Sequence, residues 1–523
     1  MKSRLLPFAR LGPGLLFALV ASSPALAAVP HQFIAKMYTE VLGRIPDQGG
    51  WQGGVNFFTG NACNQANLRN WGRGVYLSAE YDGLGYDNAA KVLTAYRGIL
   101  NREPDSGGFS SWKSQLDSGT SFATVVDAFF NSTEFAGLVT AICSKDSYSF
   151  GGAAVIALPV TTGGFQGTQA QLQTTLNGTP SGGVVELAQK AVVKLTSTLT
   201  IPAGVTLRTI GTPNHQHYAL MGRLVRDSLF NGTAVRLNAG AKLISVWVDG
   251  SGGRLGHNHN SQSVQLFGGN ATTVSQCLIN NPSGWSNLQT LGTAEGWPCA
   301  GNQIDHNLVT AYSSCHFRRP SCTDPGCELW ADGLSLACEN TTAEFNETVD
   351  ATDVHIVVFR AGGATQRSQV RFNTALAAGN ACYGGIVADG LSPAGTTYDF
   401  TGTSVHDNTL WSGRGHYDIV LSVGTRAWFD GSSANGTGAS FTANTTGSQA
   451  AVADVGIGVS GMLNAAVQSN SLSLVANNSG GCPNGGTTAA IDVSPGYNSG
   501  NIQGPFSTLP LDGCIGHSAS CPP

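Results

Sequence analysis

Three aspartates, Asp332, Asp350 and Asp353, stand close together in the chain, with His355 just beyond the last. Two carboxyl groups held about 5–10 Å apart can break a glycosidic bond. One gives a proton to the leaving oxygen, and the other activates water or attacks the anomeric carbon. Like charges at that range also push their proton affinities apart, so one stays protonated while its neighbour ionises. Asp332 and Asp353 are the first candidates for this pair; Asp350 would support them, and His355 would position or relay a proton. The insertion between Asn307 and Asp332 carries Arg318, Arg319, Glu328 and Trp330, braced by Cys315, Cys322 and Cys327. Arginine suits a carboxylate or sulfate, and tryptophan suits the face of a sugar ring. These residues, with Arg360, Asp389 and Asp418, are candidates for holding substrate. The plainer role for any single one of these aspartates is a corner residue accepting backbone N–H bonds. His257-x-His259 has a chelating spacing but sits in a Gly/Asn-rich loop that favours a solvated pair, so no metal site is assigned.

Such residues act together only if the fold stacks them, and the back half of the chain carries a stacking signal. An apolar residue followed three positions later by asparagine recurs as Cys277/Asn280, Ile304/Asn307, Ala343/Asn346, Val370/Asn373, Val405/Asn408, Phe441/Asn444 and Val467/Asn470. Successive asparagines lie 27, 39, 27, 35, 36 and 26 residues apart, the range of a stacked supersecondary unit. Asparagine tolerates left-handed backbone, so the pattern predicts a coiled β-solenoid with the asparagines stacked at one corner. Strands after the next corner run 331–336, 353–359, 385–389, 417–421, 454–459 and 490–493. Alternation sends Leu334, Ile356, Ile386, Ile419 and Ile457 inward, and Ser335, His355, Asp389 and Asp418 outward on one face. Adjacent turns sit about 4.8 Å apart, which brings the aspartates within reach of one another.

Only 11% of residues are charged, 69 are glycine, and the formal net charge is −5. There is no basic excess for nucleic acid, and 41% hydrophobic residues suffice for a large core. Lys2, Arg4 and Arg10 precede the apolar run 15–21, and Ala25 and Ala27 fit a cleavage site. Residues 1–27 therefore read as a signal peptide, too short to span a bilayer, and no other stretch suits a membrane span. An exported chain with 12 cysteines should be largely disulfide-bonded, with Cys63 pairing Cys143.

Residues 30–145 follow another plan. Tyr38-x-x-Val41-Leu42-x-Arg44-x-Pro46-Asp47-x-Gly49-Gly50-Trp51 returns as Tyr96-x-x-Ile99-Leu100-x-Arg102-x-Pro104-Asp105-x-Gly107-Gly108-Phe109. Ser78-Ala79-Glu80-Tyr81 returns as Ser132-Thr133-Glu134-Phe135. Helical spacing followed by Pro-Asp-x-Gly-Gly predicts a duplicated, independent all-helical module. Arg44, Asp47, Arg102 and Asp105 are expected at helix ends and turn ion pairs. The repeat resembles a bacterial domain of unknown function that accompanies secreted and surface-layer proteins, which implies association with the cell surface or envelope.

Residues 146–180 read as linker and cap, and 181–523 as the solenoid. Thr198-Leu199-Thr200-Ile201-Pro202-Ala203-Gly204-Val205-Thr206-Leu207, with the asparagine corner, resembles right-handed parallel β-helix proteins of the pectate-lyase-like superfamily. That resemblance implies an all-β parallel coil behind the small helical domain and is poor for activity, since the architecture hosts many chemistries. The polygalacturonase motifs Asn-Thr-Asp, Asp-Asp, His-Gly and Arg-Ile-Lys do not stand here in that form, and neither does the epimerase motif Asp-Pro-His-Asp. The expected function is a secreted, extracellular or cell-surface glycoside hydrolase acting on a polysaccharide without a cofactor. One alternative is a polysaccharide lyase using Ca²⁺ with Arg360 or Arg319 as base. The other is a non-catalytic adhesin or matrix protein, suggested by the Asn/Thr/Ser-rich stretch 430–500.

Overall fold

The computed structural model describes residues 29–145, 153–160, 162–258, 260–268, 270–291, 299–314, 329–359, 366–389, 397–424, 435–459, 461–477, 491–493 and 506–508. The signal-peptide reading lies outside them. From Val184 the chain winds as a right-handed parallel β-helix. Its three long sheets hold 10, 8 and 12 strands among the described residues, and a fourth small sheet holds 3. One turn runs Gln303–Asp305 in sheet 1, Leu308–Thr310 in sheet 2 and Asp332–Leu336 in sheet 3. Parallel pairing stacks like residues on like. Leu207, Leu243, Val274, Ile304, Ala343, Val370, Val405, Phe441 and Val467 form one buried column inside sheet 1. Leu288, Leu334, Ile356, Ile386, Leu421 and Ile457 form another inside sheet 3. Ile419, expected in that column, pairs with Gly384 instead, two residues earlier in register. The first turn is closed by the helix Gln169–Gly178, whose Leu172 and Leu176 sink into the coil's core.

The asparagine ladder stands at the corner between sheets 1 and 2. Asn307, Asn346, Asn373, Asn408 and Asn444 each donate from Nδ2 to the next asparagine's Oδ1 at 2.8–3.0 Å, ending on Asn470. Each Nδ2 also meets a carbonyl of the preceding turn, as Asn346 does with Ile304 at 2.9 Å. Two details correct the sequence reading. The left-handed residue is the one before each asparagine: His306, Phe345, Phe372, Asp407, Ala443 and Ser469, with φ between 52° and 59°. Asn280 is not in the ladder either. Register sets Leu278 beside Leu308, so Cys277 lies under Asn307 and its N–H donates to Asn307 Oδ1 at 2.9 Å. Asn280, three residues on, accepts from Trp247 Nε1 at 2.9 Å.

The duplicated module is helical from His31 to Lys145. Asp47 and Asp105 cap their helices by accepting from the N–H of Gly50 and Gly108, at 2.8 and 2.7 Å. Arg44 pairs with Glu80 and Arg102 with Glu134, which gives these charged residues the expected structural place. A Cβ on Gly50 would lie 2.2 Å from the Tyr38 hydroxyl, and one on Gly108 would lie 2.1 Å from that of Tyr96, so both copies need glycine there. Cys63–Cys143 closes the module as expected, and Cys299–Cys338 braces the coil. Among the described residues Cys277 and Cys382 are buried free thiols, which leaves the expectation of a largely disulfide-bonded chain in place.

The module packs directly on the coil. The outward side of sheet 2 carries Trp247, Leu278, Leu308, Val349, Leu376 and Trp411, all packed into one core with Phe33, Met37, Val41, Ile99 and their helical neighbours. Through this seam runs a buried ion network. Arg97 pairs with Glu40 at 2.8 Å and with Glu103, and Arg223 of sheet 2 pairs with Glu103 at 2.8 Å and with Asp249. Burial pushes the Glu103 carboxyl up, but Arg223 and Arg97 outweigh it and hold it at about 2. Trp247 lies under both guanidinium groups, 3.7 Å from Arg223 and 4.7 Å from Arg97.

Candidate functional site

Sheet 3 is the outer wall opposite the coil's interior column. Between the inward residues Leu334 and Leu336, Ser335 faces out, stacked on Gln289 and Gln265 of the two preceding turns. Asp332 begins the same strand, beside Ser286. Its Oδ1 accepts from the Val354 N–H at 3.1 Å, and its Oδ2 lies 2.7 Å from Ser335 Oγ. Asp353 immediately precedes the next strand, Val354–Phe359, its N–H bonded to the Ala331 carbonyl at 3.2 Å. Asp332 is 2% exposed, whereas Asp353 is only half-buried. Burial, the facing Asp353 charge and, to a smaller degree, Asp389 push the Asp332 carboxyl well above the usual range; Ser335 and the Val354 N–H pull the other way.

Proton counting points the same way. Ser335 Oγ lies 2.7 Å from Ser286 Oγ, which is itself 3.0 Å from the Leu288 carbonyl. With Asp332 ionised, two hydroxyl protons must serve three contacts. With a proton on Asp332, the chain runs Asp332 to Ser335 to Ser286 to Leu288, and every contact is a hydrogen bond.

Two candidates are placed elsewhere. Asp350 follows the sheet 2 strand Glu347–Val349 with φ 53° and faces the helical module. It is fully buried, accepting from Gln32 Nε2 at 2.8 Å and from the N–H groups of Ala378, Gly379 and Asn380 at 2.6, 3.1 and 3.3 Å. His355 points inward, not outward. Its Nδ1 lies 2.9 Å from Thr348 Oγ1, its ring meets Tyr417, and burial lowers its pKa to about 3. The acidic group on the outer face is therefore Asp332 and Asp353 with Asp389, not with Asp350.

Asp389 ends its strand two turns after Asp332 and is 5% exposed. Asp418 is buried one turn later, its Oδ1 3.6 Å from His416 Nε2. Trp330 is half-buried immediately before the Asp332 strand. Arg318, Arg319, Glu328 and Arg360 lie outside the described residues. Sequence reasoning missed Ser286, whose contact to Ser335 spans 49 residues and leaves no local signal. Among the described residues no three His, Cys, Asp or Glu side chains are grouped as metal ligands.

Residues 72–139 match the family described as a domain of unknown function (DUF4214). No curated protein matches the chain in sequence. Among solved structures it is similar to the endo-xylogalacturonan hydrolase of Aspergillus tubingensis, with 12% identity over 66% of this chain and 92% of that one and a TM-score of 0.38. It is also similar to the tailspike of E. coli bacteriophage HK620 in complex with pentasaccharide, with 10% identity over 65% and 60% of the chains and a TM-score of 0.37. A third similarity is to PfbA, a surface adhesin of Streptococcus pneumoniae, with 8% identity over 65% and 86% and a TM-score of 0.36. Likeness at this level concerns the fold alone; the coil itself rests on the strand pairing above. Among the described residues no single helix is long and apolar enough to cross a membrane.

Proposed function

We propose that the chain is a secreted polysaccharide-degrading enzyme of the glycoside hydrolase class, with Asp332 and Asp353 as its carboxyl pair. The observation that carries this reading is the Asp332–Ser335–Ser286 chain, which is fully hydrogen-bonded only when Asp332 holds a proton, beside a half-exposed Asp353. Asp332 gives its proton to the leaving glycosidic oxygen. Asp353, ionised and nearer solvent, takes a proton from the attacking water or attacks the anomeric carbon itself. Trp330, Asp389 and Asp418, with Arg318, Arg319, Glu328 and Arg360, are assigned to substrate. Asp350 and His355 have no part in this mechanism.

A polysaccharide panel read for reducing ends and for unsaturated-uronate absorbance, with and without EDTA, tests it. New reducing ends without absorbance support the hydrolase, and absorbance lost on chelation overturns it in favour of a lyase. One observation favours a second reading, a glycan binder without activity: both Asp332 oxygens are engaged within the protein and buried. Binding with no new reducing ends on any polymer would establish that reading.

A further inference from the structure

Three turns before Ser335, the same outward column of sheet 3 carries Arg236. Register runs Thr200, Arg236, Gln265, Gln289 and Ser335, one residue per turn. Val235 and Leu237 on either side are wholly buried in the core, so Arg236 must face out. Its guanidinium lies over the Phe267 ring, 4.3 Å from the centroid. Its Nε is buried without a hydrogen-bond partner, and no carboxylate among the described residues pairs with it. Most arginines described in this chain have acidic partners, such as Arg44, Arg69, Arg73, Arg97, Arg208 and Arg223. Beside it, Thr233 donates to Gln265 Oε1 at 3.2 Å and Gln265 donates to Gln289 Oε1 at 2.9 Å. This fixes a row of amides along the axis from Arg236 towards Ser335.

We propose that Arg236, backed by Phe267 and the Gln265–Gln289 amides, is a subsite for an anionic group on a glycan, a carboxylate or a sulfate ester. The inference rests on the reading that the outer face of sheet 3 is the polysaccharide face. A planar guanidinium backed by a ring presents its N–H groups as a fork, which matches two oxygens of one anion. With no carboxylate paired to it among the described residues, its charge is left for such an anion. At about 4.8 Å per turn, Arg236 lies about 14 Å along the axis from Ser335, so one polymer chain can reach both. The subsite therefore selects acidic over neutral polysaccharides.

Affinity electrophoresis in an Asp353→Asn background keeps cleavage out of the measurement. Polygalacturonate, dextran sulfate and neutral dextran serve as probes, and the two charged polymers separate the carboxylate from the sulfate source. At least one of them should retard the protein, and Arg236→Gln should weaken that interaction about ten- to hundredfold, the span of a charged hydrogen-bonded contact. Arg236→Lys, which keeps charge but not the fork, should fall in between, and dextran should be unaffected throughout. Equal retardation of Arg236→Gln and its parent overturns the proposal, as does failure of both charged polymers to retard the parent. A wild-type chain that binds but cuts nothing would count against the hydrolase and leave this subsite standing.

Discussion

The side-chain amide of Gln32 donates a buried 2.8 Å hydrogen bond to Asp350, 318 residues further along the chain. It ties the first helix of the N-terminal module to the end of a sheet 2 strand. Nearby, Glu347 on the same sheet accepts from the backbone N–H of Ile45. Burial raises both carboxyls, Asp350 to about 6 and Glu347 to about 7, and the N–H donors only partly offset it.

A pH dependence of stability follows. Both groups bind their proton more tightly folded than unfolded, so their contribution is complete below about pH 4. It is lost as pH rises through about 6 for Asp350 and about 7 for Glu347. Each is worth at most about 3 kcal/mol. Glu103, held at about 2, acts in the opposite sense, and its contribution fades only in stronger acid. The melting temperature should fall between about pH 4 and 7, and Glu347→Gln should flatten that fall. An unchanged slope in the variant would remove Glu347 from the account.

The ion network at the seam predicts a large local cost. Glu103 serves Arg97 and Arg223 at once, so Glu103→Gln leaves two buried guanidinium groups short of charge. Removing one partner of a buried pair costs about 3–5 kcal/mol. Urea unfolding should show a loss of that size, with the helical module and the coil unfolding in one transition because they share a core. Two separated transitions in the parent protein would instead establish the module as an independent unit.

Ser286 offers a test of the proton on Asp332. In the parent, ionising Asp332 leaves one contact of the Ser335–Ser286–Leu288 chain without a proton. Ser286→Ala removes that conflict and frees the Ser335 hydroxyl to donate to the carboxylate. The alkaline limb of kcat/KM should move to lower pH by about one unit. A limb that stays put, or moves up, would mean that the hydroxyl chain does not hold the proton.

Much of the coil was legible because its geometry repeats. Val370 and Val405 are inward, and Asn373 and Asn408 stack, since each turn imposes the same demand at the same place. Asn280 copied the local pattern by coincidence, and only register with Leu308 exposes Cys277 as the true first member. His355 was misread because alternation fails there: His355 meets Thr348 inside while the next residue, Ile356, is also in the core. A Cβ on Gly385 would likewise meet Leu410 inside, beside inward Ile386, so the kink recurs at this corner. Asp350 looked like part of the acidic group because it is near in sequence. The corner turns it towards Gln32, a partner that no local pattern announces. The seam was hidden for the same reason, since no local pattern marks Trp247 and Trp411 as the surface that the module covers.

The central claim is that Asp332 and Asp353 carry the chemistry, and paired variants measure it directly. On a polymer that the wild-type protein cuts, kcat should fall by about 10²–10⁴-fold in Asp332→Asn and in Asp353→Asn, the span of one acid or base. Melting temperatures should stay close to the parent, because the amide keeps an oxygen for the Val354 N–H and a donor for Ser335. Full activity in both variants, with a fall in melting temperature, would contradict the account and leave the two aspartates as corner residues of the coil.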